Sequence, residues 1–353
     1  VSESPQDVDV LLVGLGSTSG LRIADDELAR SLQRAGARVE RARAEPPRRD
    51  VPTLMLTDLL WARAARRAAL QMLARVRPRA IIYSTTTAAL LWPRPGAIRF
   101  DAAAAANRPG RHGLWQRPLE RHRLRHAPLL LPWSEGALVE VGHRAAAPGS
   151  AGHIDLAGRA LVLPAPIELE AAAAPDRDIA AITYAANPHK KGFDRVLAAW
   201  RQARSPGERL VVVGAARAAL AAAGFALADD EQIDIVGSLT REETRALMRR
   251  ARVFICAPRR EDYGLVQLEA LAEGCQLVTT PAPGPYVALS LARRLDARLV
   301  GADLVGALRA ALATDRPARA DYARRAAALI APFGRAAADR LVADELLARL
   351  LPR

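Results

Sequence analysis

The sequence predicts two consecutive α/β domains, each a parallel sheet with crossover helices. Three observations carry that expectation. Short apolar runs of β type alternate with Ala-, Arg- and Leu-rich helical stretches along both halves. The 353 residues exceed the ~100–200 of one ordinary domain. Near the middle, PAPIELEAAAAPDRD (164–178) breaks the alternation with three prolines and no periodicity, as a domain connection does. The domains are expected at 1–168 and 169–353, with the last helix free to pack back on the first domain.

In the first half, residues 8–13 read as a strand running into the glycine-rich turn Gly14-Leu15-Gly16-Ser17-Thr18-Ser19-Gly20. Residues 25–35 carry helical spacing, stopped by Gly36. Residues 54–56 read as a short strand and 61–76 as a helix. Residues 80–83 read as a strand ending in Ser84-Thr85-Thr86-Thr87, and 97–100 as another ending at Asp101. A helix over 115–125 leads into a strand over 129–132, and 159–163 closes the half. In the second half, strands are expected at 179–184, 209–213, 233–236, 253–257 and 276–279. Helices are expected at 194–203, 241–250 and 265–272, and the rest is helical. Thr240 with Glu243 three positions later is a capping-box pattern.

Composition narrows the function. The net charge is +13, from 51 basic and 38 acidic residues, which permits anionic partners but equally fits a general bias toward arginine. Aromatic residues are only 4%, too few to interleave with the basic ones as nucleic-acid binding requires, so no nucleic-acid partner is expected. Cys256 and Cys275 both lie in apolar segments and read as buried free thiols of a reducing compartment. No apolar run approaches the ~20 residues that cross a bilayer. The first residues lack a basic n-region and read as strand, not as a signal peptide. The expected location is cytoplasmic, with peripheral contact at the inner membrane face left open by arginine-rich faces such as 117–125.

Lys190 and Lys191 are the only lysines in a chain that otherwise uses arginine for positive charge. They stand just before Gly192 and a helix, where an ammonium on a flexible stem reaches a diphosphate. The second signal is RREDYGLVQLEALAEG, 259–274. It follows the buried strand VFICA, so it emerges at a strand's C-terminal edge, where parallel sheets bind ligands. Glu261 lies in the loop and Glu269 in the helix. Between them, the backbone NH groups around Tyr263, Gly264 and Leu265 suit phosphate oxygens. Two carboxylates flanking such a turn suit a ligand with hydroxyls at both ends and phosphates between.

These motifs resemble glycosyltransferase family 4, whose GT-B fold has two Rossmann-like domains facing across a cleft. AITYAANPHKKGFDRVLAAW is similar to its strand, lysine-glycine turn and helix. IDIVGSLTREETRALMRRARVFICAPRREDYGLVQLEALAEGCQLVTT is similar to its glycine loop and its paired-glutamate segment. The first half is similar more loosely, through its glycine turn and LLLPWS. The resemblance implies a donor diphosphate on Lys191, helped by Lys190, and sugar hydroxyls on Glu261. It implies backbone amides of Tyr263, Gly264 and Leu265 on sugar and phosphate, and the ribose on Glu269. The base would lie beside Gly237, Ser238 and Leu239. Gly16 and Ser17 would close over the diphosphate from the first domain. The implied reaction moves a hexose from a nucleotide sugar to a hydroxyl acceptor with retention. It needs no metal and no cofactor beyond the donor itself.

The sequence departs from the family in two places. An arginine usually precedes the lysine, where this chain has Ala185, Ala186 and Asn187; Lys190, Arg259 and Arg260 are the candidate substitutes. A first-domain histidine usually faces the sugar, where this chain places Asp101. A catalytically weak or inactive sugar-nucleotide binder therefore stays open. A glycoside hydrolase fits less well, because its two carboxylates belong on opposite sides of a sugar cleft. The glycine turn does not fit the G-x-G-x-x-G fingerprint of a nicotinamide dehydrogenase, and no P-loop is present. His122 and His126 share a helix face without an acidic third ligand. Ser84–Thr87 and Asn107 are the remaining polar candidates, for contact with the acceptor.

Overall fold

A computed structural model describes residues 5–45, 53–108, 110–145, 158–169, 177–225, 227–228 and 232–352. The chain divides into two compact units, Val1–Pro166 with Arg335–Arg353, and Ile167–Gly334. Of the expected connection, residues 170–176 lie outside the described residues.

The first unit holds β1 (Gln6–Gly14), β2 (Val39–Arg43), β3 (Val76–Tyr83), β4 (Ala97–Phe100) and β5 (Leu130–Pro132), all parallel, in the order β2-β1-β3-β4-β5. Between them run α1 (Ser19–Arg34), α2 (Leu54–Leu73), α3 (Thr86–Leu90), α4 (Ala104–Asn107), α5 (Gln116–His126) and, after β5, α6 (Glu135–Ala145). Two apolar clusters fill the two sheet faces. One contains Leu11, Val13, Ile81 and Ile98; the other contains Val10, Leu12, Ile82 and Leu131. Burial on both faces explains why these strands read as continuous apolar runs.

Two expectations for this unit need correction. Residues 54–56 are no strand but the first turn of α2, with the Thr53 hydroxyl accepting from the Leu56 NH at 3.4 Å. A three-residue apolar run does not distinguish the two states. The actual second strand, VERAR, was missed because it is a charged edge strand. Its Arg41 and Arg43 pair with Asp26 at 2.6 and 3.0 Å, so its outward side shows no alternation of apolar residues. Residues 159–163 close this half beside β5: the Leu130 NH donates to the Arg159 carbonyl at 2.7 Å, the Leu161 NH to the Leu130 carbonyl at 2.9 Å and the Leu163 NH to the Pro132 carbonyl at 2.8 Å.

The second unit holds β6 (Ile179–Tyr184), β7 (Leu210–Val213), β8 (Ile233–Gly237), β9 (Ala251–Cys256) and β10 (Gln276–Thr279) in the parallel order β10-β9-β6-β7-β8. Its helices are α7 (Pro188–Lys191), α8 (Phe193–Ala203), α9 (Arg217–Ala222), α10 (Arg241–Arg250), α11 (Leu265–Ala272), α12 (Val287–Leu295), α13 (Leu304–Ala313) and α14 (Arg316–Ile330). In α8, Phe193, Val196, Leu197, Trp200 and Ala203 recur at helical spacing and are buried. The capping box at α10 is present: the Thr240 hydroxyl accepts from the Glu243 NH, and the Glu243 carboxylate from the Thr240 NH at 2.8 Å.

The chain then returns to the first unit as α15 (Arg335–Leu341). Asp339 accepts from Ser31 and Arg34 of α1, and Val342 and Leu346 join the first unit's core.

Candidate functional site

Sheet topology selects where each unit presents its loops. In the second unit the chain proceeds from β6 to β7 and β8 on one side, then crosses to β9 and β10 on the other. The switch point is the gap between the C-terminal ends of β6 and β9, and crevices at such points hold ligands in open α/β sheets. The β6 end continues into Asn187–Gly192. The β9 end continues into 257–264. Lys190, Lys191, Arg259, Arg260, Glu261 and Asp262 leave from these two ends, while Glu269 lies within α11.

The two loops are locked together. The Arg259 NH donates to the Lys190 carbonyl at 2.9 Å. Gly192 has φ +64, and a Cβ there would lie 1.8 Å from the Ala257 carbonyl oxygen. Only glycine permits both the left-handed conformation and this approach. Asn187 caps the turn, its side-chain oxygen accepting from the Lys190 NH at 3.1 Å, and Pro188 opens it without forfeiting a donor. The sequence suggested a turn here; the structure makes it one turn of helix.

Lys191 and Glu261 meet directly, Nζ to Oε2 at 2.6 Å. Gln267 donates its Nε2 to the same oxygen at 3.0 Å. The Oε1 atom of Glu261 has no protein partner among the described residues. Asp262 lies between two cations, with Lys190 Nζ at 3.1 Å and Arg260 Nε at 2.8 Å. Arg259 turns away, in a two-pronged pair with Asp194 of α8 at 2.8 and 2.7 Å. That pair holds the Asp194 carboxyl below its usual range. Lys190 and Arg260 therefore stay beside Lys191's partner loop, and Arg259 does not. Lys191 is the more enclosed lysine, its side chain 19% exposed against 42% for Lys190.

Tyr263 is buried, and its carbonyl accepts from the Val287 NH at 3.1 Å. Gly264 has φ +90 with the Tyr286 ring packed where a Cβ would point, at 2.9 Å. Leu265 is the first residue of α11. Beneath this turn the Tyr286 and Thr279 hydroxyls lie 2.9 Å apart, and Cys256 donates to Thr279. Burial pushes the thiol of Cys256 up, and that of Cys275 up to about 12, so neither is a thiolate.

Glu269 is 5% exposed and takes Arg241 Nε on Oε1 at 2.5 Å. Burial raises its carboxyl above the ordinary value, and the Arg241 charge opposes this most. The β8 end turns at Gly237, φ +76, whose carbonyl accepts from the Gly214 NH at 2.7 Å. Ser238 is exposed and Leu239 half-buried.

Gly16, Ser17 and Asp101 belong to the other unit. Gly16 has φ +61 and its carbonyl accepts from Arg22 at 2.8 Å, while Ser17 is exposed. Asp101 follows β4, and its Oδ1 accepts from the Ala102 NH at 2.9 Å. Ser84 does more than end a strand. Its hydroxyl donates to the buried Asp25 at 3.0 Å, whose other oxygen lies 3.6 Å from Arg99. Arg99 in turn lies over the Trp133 ring, 4.6 Å from its centroid. Burial pushes the Asp25 carboxyl up to about 6 against the pull of Arg99. Among the described residues no group of three His, Cys, Asp or Glu side chains suits a metal, and His122 and His126 instead stack on one helix face.

Sequence reasoning missed Gln267, Arg241, Asp262 and the Asp25–Arg99 pair. Gln267 carried one signal, as a polar residue inside the apolar run LVQLEALA.

Residues 178–314 match the family described as Glycosyl transferases group 1. No curated protein is significantly similar in sequence. Among solved structures, WaaG, a glycosyltransferase involved in lipopolysaccharide biosynthesis, superposes with a TM-score of 0.64 at 16% identity over 94% of this chain and 99% of that one. The trehalose-6-phosphate protein from E. coli, solved with UDP-2-fluoro glucose, gives 0.65 at 14% over 96% and 99%. Sucrose-phosphate synthase from Thermosynechococcus elongatus gives 0.61 at 16% over 95% and 96%. At these identities the likeness speaks for the fold, and the family match speaks for the second unit. The chain thus has the GT-B fold of two α/β units, and residues 178–314 of its second unit match the group 1 glycosyltransferases.

Proposed function

We propose that the protein moves a hexose from a nucleoside diphosphate to a hydroxyl acceptor, with retention and without a metal, as a family 4 enzyme. The observation that carries this reading is the meeting of both lysines with Glu261 and Asp262 at the switch point between β6 and β9. Lys191 Nζ would neutralise charge developing on the departing diphosphate, a preorganised stabilisation with little reorganisation. It has three donors, so its bond to Glu261 leaves two for phosphate oxygens. Glu261 would accept from sugar hydroxyls through Oε1, held from behind by Gln267. The NH groups of Tyr263, Gly264 and Leu265 would take phosphate or sugar oxygens. Glu269 would hold the ribose, with the base beside Gly237, Ser238 and Leu239. Lys190 and Arg260 are the proposed substitutes for the arginine absent at 185–187. Asp101, Gly16 and Ser17 remain proposals on the first unit.

A non-catalytic sugar-nucleotide binder is the second reading, favoured by that absent arginine. Two measurements separate the readings. Thermal unfolding against UDP-, GDP-, ADP- and TDP-hexoses should show one donor raising the melting temperature with concentration, because a ligand of the folded state stabilises by mass action. If none does, the donor site is wrong. Donor consumption with added acceptor sugars should then continue in chelator. Loss on chelation, restored by magnesium or manganese, would contradict the metal-free mechanism, and binding without turnover would favour the second reading. A cytoplasmic location, with any membrane contact peripheral, is part of the same proposal; no described helix is long and apolar enough to cross a membrane.

A further inference from the structure

We infer that Arg241 is a positioning residue for the donor: it holds Glu269 as an oriented, ionised acceptor for the ribose hydroxyls. The inference rests on the proposed role of Glu269 and adds the group through which that role is maintained.

Arg241 is the first residue of α10, directly after the Thr240 cap. The reciprocal Thr240–Glu243 bonds fix the backbone from which its side chain departs. From there the guanidinium reaches α11 and gives Nε to Glu269 Oε1 at 2.5 Å. The pair is one-pronged. Arg241 Nη2 is buried without a partner, and Glu269 Oε2 has none among the described residues. A two-pronged pair would satisfy the guanidinium better but would occupy both carboxylate oxygens. The observed geometry leaves one oxygen for a ligand while fixing the other.

The surroundings make this partner necessary. Glu269 is almost wholly buried, and burial disfavours a carboxylate. The next basic residue on the same helix, Arg245, is already committed. Its Nη1 pairs with Glu168 Oε2 at 2.8 Å and its Nη2 with Glu273 Oε1 at 2.6 Å. Glu273 also faces Arg249 at 3.4 Å. Arg245 attracts Glu269 only from a distance, and Glu168 repels it. Among the described residues, Arg241 is the one cation in hydrogen-bond contact with Glu269. Without it, burial and Glu168 would push Glu269 toward its neutral acid, which accepts from a ribose hydroxyl more weakly than a carboxylate does.

The test is nucleotide affinity as a function of pH, using whichever of UDP, GDP, ADP and TDP binds the wild-type protein most tightly. Ionisation of the nucleotide is common to all variants, so the variant-to-wild-type ratio of Kd is read. For Arg241→Gln the ratio should be roughly tenfold or more at the acid end of the range and should shrink as pH rises, because Glu269 then regains its charge. Arg241→Lys should keep the ratio nearly flat with pH. In a Glu269→Gln background, which also guards against misfolding from an unpaired buried carboxylate, adding Arg241→Gln should change neither affinity nor its pH dependence. A ratio independent of pH for Arg241→Gln in folded protein overturns the inference alone. So does an unchanged penalty of Arg241→Gln in the Glu269→Gln background. If no nucleotide binds the wild-type protein, the donor-site reading itself falls and this inference with it.

Discussion

The two units have like architecture but place different chemistry at their switch points. In the first unit the switch lies between β1 and β3, and its polar groups face inward. Under the glycine turn Ser84 donates to Asp25 at 3.0 Å, and Arg99 forms a longer ion pair with the other Asp25 oxygen at 3.6 Å. In the second unit the switch lies between β6 and β9, and the charges are gathered toward the loops: Lys190, Lys191, Arg260, Glu261 and Asp262. A five-stranded parallel sheet therefore supplies a place for a site but not its contents. What differs is whether the loops hold charges that a ligand can reach or a sealed pair that holds the loop itself.

The largest expected effect tests the second unit. Lys191→Ala should lower turnover by ~10²–10³, because the leaving diphosphate loses a preorganised partner. Lys191→Arg keeps the charge with a planar fork of different reach and should also be badly impaired. Normal turnover by the arginine variant would mean that the scarcity of lysine elsewhere carries no message about this position.

Next come two glycines at corresponding turns. A Cβ on Gly192 would press into the Ala257 carbonyl, whereas one on Gly16 would meet only flexible side chains, Arg22 at 3.3 Å and Arg43 at 3.7 Å. Both have positive φ, which costs a non-glycine residue about 1–2 kcal/mol. Gly192→Ala must additionally separate the two loops, so nucleotide affinity should collapse. Gly16→Ala should cost only its backbone strain in denaturant unfolding. Equal effects would remove the distinction between a locked turn and an open one.

These contrasts explain what was legible. The second unit's five strands and the helices α8, α10 and α11 could be placed to within a residue or two, because the strands are short apolar runs and the helices follow glycine or a capping box. Helix α9 carried no such signal, and α12–α14 read as one undivided helical stretch. The lysines stood out by composition, and Glu261 and Glu269 by position after a strand. The charged edge strand 39–43 could not be seen, since its arginines serve Asp26 rather than a core. Gln267 and Arg241 could not be assigned either. Their meaning depends on partners 6 and 28 positions away, brought close only by the fold. The Asp25–Arg99 pair spans a still longer separation and has no local pattern at all.

The first unit's sealed pair makes its own prediction. Burial lifts the Asp25 carboxyl from 3.8 to about 6, so the folded state holds this proton more tightly than the unfolded chain. The associated stability is present below about pH 4 and is lost as pH rises through about 6, with a ceiling of roughly 3 kcal/mol. Asp25→Asn should flatten that slope in unfolding measured across pH. Glu269, raised in the same direction, leaves a residual slope in the variant. An identical slope with and without Asp25 would show that the pair is not sealed.

The smallest expected effect concerns the arginine-rich helix α5. Arg117 donates to the Gly113 carbonyl at 3.1 Å, and Arg123 donates to the Leu90 carbonyl at 2.9 Å and lies over Trp92. Arg121 stays exposed nearby. Each basic residue near an anionic surface contributes ~1 kcal/mol, falling with salt. Sedimentation with phosphatidylserine vesicles at low salt should therefore be weak, and Arg121→Glu should abolish it. Strong, salt-resistant sedimentation would mean that the membrane contact lies elsewhere.

We assign donor chemistry to the β6–β9 switch point of the second unit. A crystal structure of the protein with its tightest-binding nucleoside diphosphate tests it most directly. Diphosphate oxygens are expected within hydrogen-bond distance of Lys191 Nζ and ribose hydroxyls on Glu269, with Arg241 still on Oε1. A nucleotide held along Gly14–Ser17 with Lys191 and Glu269 untouched would contradict it.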